Sequence, residues 1–296
     1  MRLIVGSGFL GSALLKYTAA NTDAPLLATV RDQAHMLPVS GVTWISCDIT
    51  RHGDLQRLAT ACGGAPLTVF YFAACHNIDY IFEHPADAYR INIDALRDFL
   101  HTVPNIQTLF FASTDCVYGE QTADCPQFRE ETPLHPVNIY GRQKAEAEAI
   151  IRAYGFTAVR LPFMLGPSPF PDKPHFYDTI REKLENGEPI EMIDGMRRSV
   201  LSYRQAAALL FSLSLLPRDR IPDVINLGGD QSYSKYEMGC ALAKKFHAPT
   251  SLVKKITETQ GEKFFKDQRA SSAVMDNTLL KRLLGLRELR WEEDIC

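Results

Sequence analysis

The sequence has no CxxC pair, and its seven cysteines, at positions 47, 62, 75, 116, 125, 240 and 296, are odd in number and scattered. That pattern excludes a disulfide framework and a structural zinc ribbon as organising devices and fits reduced thiols. His35, His52, His84 and His101 show no ligand spacing, so no metal site is expected. No apolar stretch reaches the length of about 18 residues that a membrane-spanning helix needs. Basic excess is missing too. Thirty-two Lys and Arg against 35 Asp and Glu leave a formal net charge of −3, which argues against nucleic acid or an anionic membrane surface as partner. The opening residues, MRLIVGSG, carry none of the features of a secretory leader, so the expected location is the cytoplasm. Internal repeats and low-complexity tracts are absent as well.

What is present is an ordinary globular composition. The 296 residues are 46% hydrophobic and 23% charged, enough to bury a large core in one domain or in one domain plus a small lobe. Short continuous apolar runs at residues 3–5, 26–30, 42–47, 68–74, 108–113 and 157–161 alternate with helical spacings at 9–17, 86–100 and 141–154. Continuous apolar strands between helices predict an α/β fold, a parallel sheet covered on both faces and doubly wound by right-handed crossovers. After Gly166 the texture changes. Pro167, Pro169, Pro171 and Pro174 rule out a continuous helix. A helix at 176–186, strands at 190–193 and 224–227 and a helix at 234–246 follow. The reading is therefore a dinucleotide-binding Rossmann domain over 1–166 and a smaller α/β substrate lobe over 167–296, with elements returning to the main sheet.

Gly6-Ser7-Gly8-Phe9-Leu10-Gly11 is GxGxxG, set between the first strand and the first helix. Gly6 permits the tight turn, Gly8 lets backbone approach a pyrophosphate, and Gly11 lets the helix pack on the strand, with the helix N-terminus facing the anion. Without a ligand the same motif is a glycine-rich strand-to-helix turn. At the end of the second strand an acid would bond the ribose 2′-hydroxyl of NAD, and an Arg would accept the 2′-phosphate of NADP. Arg31 comes first here and favours NADP; Asp32 keeps NAD open.

The fifth strand ends in Ser113-Thr114-Asp115-Cys116, and Tyr140-Gly141-Arg142-Gln143-Lys144 follows on a helix. Tyr140 and Lys144 are four apart and share one helix face. A nearby ammonium lowers a phenol's pKa toward neutrality and suits it to general acid–base work. The Thr114 hydroxyl is placed to bond a substrate oxygen. YxxxK alone is common; it gains weight here from following GxGxxG and the Ser-Thr-Asp strand end in that order.

The chain resembles the extended short-chain dehydrogenase/reductase superfamily of nucleotide-sugar epimerases, dehydratases and reductases. GSGFLG, Cys47-Asp48-Ile49, Phe72-Ala73-Ala74, Asn92 in RINIDAL, STDCVYG, YGRQK, VRLPFMLGP, NGEPI and INLGG carry the resemblance over nearly the whole chain. It implies that Asp48 and Ile49 flank the adenine and that Ala73 and Ala74 line the pyrophosphate–ribose path. By the same resemblance Lys144 holds the nicotinamide ribose, Pro162 lies near the nicotinamide, and Thr114, Tyr140 and Lys144 form the catalytic triad. Ser-Thr-Asp and Pro136-Val137-Asn138-Ile139-Tyr140-Gly141 look closest to the dTDP-4-dehydrorhamnose reductases. The dehydratases carry Asp-Glu after the Thr, whereas this chain has Asp115-Cys116, which argues against dehydration. Relatives of this superfamily often dimerise through helices near 90–100 and 141–154, so the homodimer expectation rests on the resemblance.

Cys116 also resembles the GDP-fucose synthases, which pair such a thiol with a His past the sixth strand; His175 lies in that place. The plainer alternative is a small packed thiol and a loop imidazole. Arg197, Arg198 and Arg204 flank a strand where relatives hold a nucleotide diphosphate. Arg198 is the preferred candidate, because a guanidinium fork suits phosphate, and a solvated edge is the alternative. Asp115, Cys116, His175 and Arg198 thus form the expected substrate set. Two departures stand out. Val5 occupies the place of the family's first glycine, giving a loop one residue tighter, and Gln205 replaces an Asp common after the late strand. Three functions remain in view: a keto-sugar-nucleotide reductase, an epimerase with tightly bound NAD(P), and a non-catalytic NAD(P)-binding sensor or structural protein.

Overall fold

The computed structural model describes residues 1–293. In chain order its elements begin with β1 (Arg2–Val5), α1 (Phe9–Asn21), β2 (Leu26–Val30), β3 (Val42–Ser46), α2 (His52–Ala61) and β4 (Leu67–Tyr71). Next come α3 (Ile78–Glu83), α4 (Pro85–Tyr89), α5 (Ala95–Thr102), β5 (Ile106–Thr114), α6 (Ile139–Ala153) and β6 (Thr157–Leu161). The remainder holds β7 (Phe163–Leu165), α7 (Phe176–Glu185), β8 (Ile190–Ile193), β9 (Arg198–Ser202), α8 (Tyr203–Leu213), β10 (Val224–Asn226), β11 (Ser232–Tyr233), α9 (Lys235–Lys245) and β12 (Val253–Ile256).

Seven strands form the central sheet in the order β10-β6-β5-β4-β1-β2-β3. Parallel registers run from β3 through β2, β1 and β4 to β5, with Val5 opposite Tyr71 and Tyr71 opposite Phe111. The chain starts at β1, winds outward to β3, then returns to β4 on the other side. The switch point between β1 and β4 therefore opens at their carboxyl ends, where doubly wound sheets take ligands. β11-β9-β7 and β12-β8 make two smaller sheets.

The chain divides into two compact units, each built from three segments. The first holds Met1–Thr114, Ile139–Arg160 and Ala206–Ile225; the second holds Asp115–Asn138, Leu161–Gln205 and Asn226–Cys296. In the first, Leu3, Val5, Leu55, Val69, Tyr71, Leu96, Phe99 and Phe111 form one apolar cluster, with Tyr71 and Phe99 packed edge to face at 5.0 Å between ring centres. The second has its own cluster around Leu165, Tyr177, Met192, Val200, Met238 and Trp291.

Two expected elements differ from what forms. The fourth strand stops at Tyr71 rather than running to 74, because the amides of Phe72 and Ala73 both turn to the Val5 carbonyl (2.8 and 2.9 Å). The helix expected at 86–100 is interrupted by a π-helical turn at Arg90–Asp94. That turn carries Asn92, whose amide bonds both backbone groups of Cys75, 2.8 Å from its N–H and 3.0 Å from its carbonyl. π-turns of this kind are frequent where a side chain must be aimed.

Helix α6 has an unusual core-facing stripe: Gln143, Lys144, Ala147, Glu148 and Ile151 are buried. Charged side chains at such positions are rare unless paired or functional.

Candidate active site

The glycine loop leaves the end of β1 with Gly6 at φ +98°, a backbone region that favours glycine. A Cβ there would stand 2.6 Å from the Ala73 amide nitrogen, so Ala73 closes directly on the loop. The Gly6 N–H donates to Thr29 Oγ1 at 2.9 Å. A Cβ on Gly11 would come within 2.0 Å of the Gly6 carbonyl oxygen, whereas one on Gly8 would meet open space. Gly8 caps α1 with no side chain over the helix end. An uncapped helix end beside open space at Gly8 suits an anion, and the residues present fit a dinucleotide pyrophosphate. Ser7 contributes its carbonyl to Ser12 Oγ (2.9 Å). Phe9 opens the helix, and the Leu10 side chain is core.

Ile49 is packed in the apolar cluster beside the end of β3. The Asp48 carboxylate accepts the N–H and hydroxyl of Thr50 at 3.0 and 2.7 Å. Burial opposes its ionisation, yet the Thr50 bonds, with Arg51 and Arg31 near by, hold it below the usual carboxylate range. Asp32 is turned to its own backbone, accepting the Ala34 N–H at 3.0 Å with His35 at 3.3 Å. Arg31 is exposed.

Thr114 is the buried last residue of β5. Tyr140 stands half-buried in the first turn of α6, and Lys144 Nζ lies 5.9 Å from its ring centre. Lys144 is 3% exposed. It donates to the Ala112 carbonyl of β5 at 2.7 Å and sits 4.5 Å over the Phe111 ring. Burial drives its pKa down to about 7, opposed chiefly by the nearby Glu148 carboxylate. Burial, helped by Lys144, also lowers the pKa of His76. Within the first unit the fold thus brings together the glycine loop, Ala73, Ala74, Thr114, Tyr140 and Lys144 around the carboxyl edge of the sheet.

The low Lys144 pKa has a thermodynamic consequence. Between about 7 and 10.5 the unfolded chain carries a proton on this amine that the folded chain lacks, so this group makes the ligand-free protein more stable as pH rises through that window. Lys144→Met removes the contribution. Thermal midpoints across the window should rise less steeply for the variant; identical slopes would contradict the burial argument.

In the second unit, Asp115, Cys116 and Arg198 come together. Arg198 Nε is 3.6 Å from Asp115 Oδ2, and the Cys116 thiol donates to Asp115 Oδ1 at 3.5 Å. The Arg198 guanidinium also donates to the carbonyls of Arg197, Ser271 and Ala270. His175 caps the start of α7, with its Nδ1 3.5 Å from the Tyr203 hydroxyl. Pro162 is buried between β6 and β7.

Some residues escaped the sequence reading. Gln143 donates to the Pro85 carbonyl and accepts from Asn92 at 2.8 Å, linking α6 to the segment after β4. Cys75 and His76 lie near Lys144. In the second unit a cavity of about 420 Å³ is lined by Glu120, Met196, Glu258, Phe265, Lys266, Asp267, Gln268, Arg269 and Ser271. The Arg269 guanidinium lies 4.9 Å from the Phe265 ring centre. The adjacent aromatics of Phe264-Phe265 amid charged residues were the available signal. No group of three or more metal-ligating side chains occurs among the described residues, and no helix among them is long and apolar enough to cross a membrane.

The NAD dependent epimerase/dehydratase family matches residues 3–228. Methionine adenosyltransferase 2 subunit beta of Bos taurus is 24% identical over 240 residues, covering 76% of this chain and 70% of that protein. The trifunctional UDP-glucose 4,6-dehydratase/UDP-4-keto-6-deoxy-D-glucose 3,5-epimerase/UDP-4-keto-L-rhamnose-reductase of Arabidopsis thaliana is 27% identical over 243 residues, 77% of this chain but 35% of that longer protein. Among solved structures, UDP-glucose 4-epimerase of Thermotoga maritima superposes with a TM-score of 0.83 at 18% identity, covering 99% of this chain and 96% of that one. The dTDP-glucose 4,6-dehydratase of Streptomyces venezuelae, solved with NAD, gives 0.78 at 21% identity over 98% and 92%. At these identities the two structures establish the shared fold.

Proposed function

The chain belongs to the NAD dependent epimerase/dehydratase family, and from that premise we propose that it is a reductase of a nucleotide-activated keto-sugar, using NADPH in preference to NADH. The observation that carries this reading is the buried Lys144 beneath the Tyr140 ring, held by the Ala112 carbonyl at the strand edge that also bears Thr114. The glycine loop and the α1 amides would hold the coenzyme's pyrophosphate, and Arg31 its 2′-phosphate. The bound coenzyme supplies the hydride. Tyr140 gives its hydroxyl proton to the substrate carbonyl oxygen, and Thr114 donates a hydrogen bond to the same oxygen. The Lys144 ammonium stabilises the phenolate that Tyr140 becomes. In the second unit, the Phe265 ring with Lys266 and Arg269 would accept the base and phosphates of the nucleotide, as aromatic faces and guanidinium forks do. The Asp115-Cys116 pair, without the Glu of the dehydratases, and the keto-rhamnose reductase named among the relatives both support reduction.

The test is stoichiometry. Incubation with NADPH and a dTDP- or UDP-4-keto-6-deoxysugar should consume one coenzyme per sugar reduced. Turnover with no net coenzyme change would instead establish an epimerase. A second reading rests on the relatives named as a subunit of methionine adenosyltransferase: a non-catalytic chain that binds NAD(P) and serves a partner enzyme. Tight coenzyme binding with no turnover on the sugar panel would favour it.

Coenzyme choice is separately testable. Arg31→Asp replaces a phosphate-pairing cation by an anion, and a charge-assisted bond contributes about 1.5–3 kcal/mol. The ratio of NADPH to NADH affinity should fall by about ten- to a hundredfold, measured by calorimetry. An unchanged ratio would remove Arg31 from the coenzyme site.

A further inference from the structure

Beneath the catalytic pair lies a charge cluster with no contact to solvent. Glu148 and Arg160 are each 2% exposed. Arg160 Nε donates to both Glu148 oxygens at 3.0 and 3.2 Å, and its Nη2 donates to Oε2 at 2.7 Å. The Ser113 hydroxyl, also buried, donates to Glu148 Oε1. Three elements meet at this one carboxylate: β5 through Ser113, α6 through Glu148 and β6 through Arg160. Ser113 directly precedes Thr114, and Glu148 lies one helical turn beyond Lys144 on the same face.

A buried ion pair is a poor device for stability alone, since apolar side chains of similar volume usually do as well. Its placement suggests another use. The pair lies one helical turn from Lys144, near enough for Glu148 to favour the charged amine. We propose that Glu148, locked by Arg160, is a positioning residue for the reaction: it ties the Thr114 end of β5 to the Lys144 turn of α6 and presents its negative charge to the Lys144 amine. The inference rests on the reductase reading for its effect on turnover, but not for its effect on Lys144.

The groups around that amine are Tyr140 and Glu148 on α6, Cys75 and His76 after β4, the Phe111 ring and Ala112 carbonyl on β5, and Arg160 on β6 behind Glu148. Cys75 is a thiol whose own pKa is raised by burial, so it is uncharged near neutrality. Of the two neighbours that favour the ammonium, Glu148 is the larger influence and the one paired with a guanidinium.

Replacing both members as Glu148→Met with Arg160→Met removes the pair without stranding either charge. With lysine Cε labelled by ¹³C, the Lys144 resonance, identified by its loss in Lys144→Arg, should titrate near 7 in the unaltered protein. In the double variant it should titrate at least about half a pH unit lower. An unshifted titration overturns the proposal. The measurement uses protein without substrate, so its result stands apart from that of the stoichiometry assay. Ser113→Ala leaves the ion pair intact and remains readable should the double variant fail to fold. It should lower kcat about tenfold with coenzyme Kd unchanged, since it loosens only the tie beneath Thr114. Turnover equal to that of the unaltered protein would overturn the positioning role.

Discussion

Tyr140→Phe should reduce kcat by about a thousandfold while leaving coenzyme affinity within about threefold, because positioned general acids contribute about 10²- to 10⁴-fold. The substitution deletes one oxygen and its proton and little else. The ring that Lys144 faces at 5.9 Å is kept, and so is the Lys144 bond to Ala112. The coenzyme contacts proposed for the glycine loop lie in a separate part of the unit. The loss therefore falls on the step in which the carbonyl oxygen gains a proton. Steady-state rates with NADPH and a 4-keto-6-deoxysugar nucleotide, beside coenzyme titration by fluorescence, separate the two quantities. Turnover surviving at more than about a tenth of its original rate would mean that the proton comes from elsewhere.

Gly11→Ala should abolish coenzyme binding by a factor of at least about a hundred, the scale on which a 1 Å displacement acts. It should also destabilise the fold by about 1–3 kcal/mol, as overpacking does. The added methyl would lie 2.0 Å from the Gly6 carbonyl oxygen. Gly6 cannot yield, since its N–H is held by Thr29 and the Ala73 amide crowds its other side. Helix α1 must then move off β1, taking its N-terminal amides with it. Gly8→Ala is the contrasting variant. Its Cβ meets nothing within 4 Å, so the fold should keep its stability and only the approach of the pyrophosphate should suffer. Calorimetry with NADPH and chemical unfolding of both variants check the pair. Full affinity in Gly11→Ala would show that the loop does not hold the coenzyme.

The readability of this site in the sequence varied with the range of the interaction. Strand 3–5, the glycine spacing after it and the four-residue interval from Tyr140 to Lys144 are local patterns, and each stands where it was expected. The burial of Lys144 was not local. Its amine is covered because β5 and the segment after β4 pack over it, and a pKa near 7 follows from that enclosure alone. Glu148 was visible as one more acid on an Ala- and Glu-rich helix. Its spacing from Lys144 could have marked it, but nothing in the apolar run at 157–161 indicated that Arg160 would turn inward to meet it. The Arg198 expectation illustrates a different gap. A guanidinium in the right place by resemblance is engaged with Asp115 and three backbone carbonyls, while Arg269, stacked on Phe265 at a cavity wall, came from a stretch with no periodic signal.

The amino-acid sequence alone determined the doubly wound class, the glycine-rich turn after β1 and the one-turn spacing of Tyr140 and Lys144, because strand periodicity, glycine spacing and helical intervals are set by near neighbours. Only the tertiary structure decided the electrostatics: which amine is desolvated, which carboxylate opposes that desolvation, and which arginine is committed elsewhere. Those outcomes depend on packing between elements far apart in the chain, where the exclusion of water turns a modest charge into a strong one.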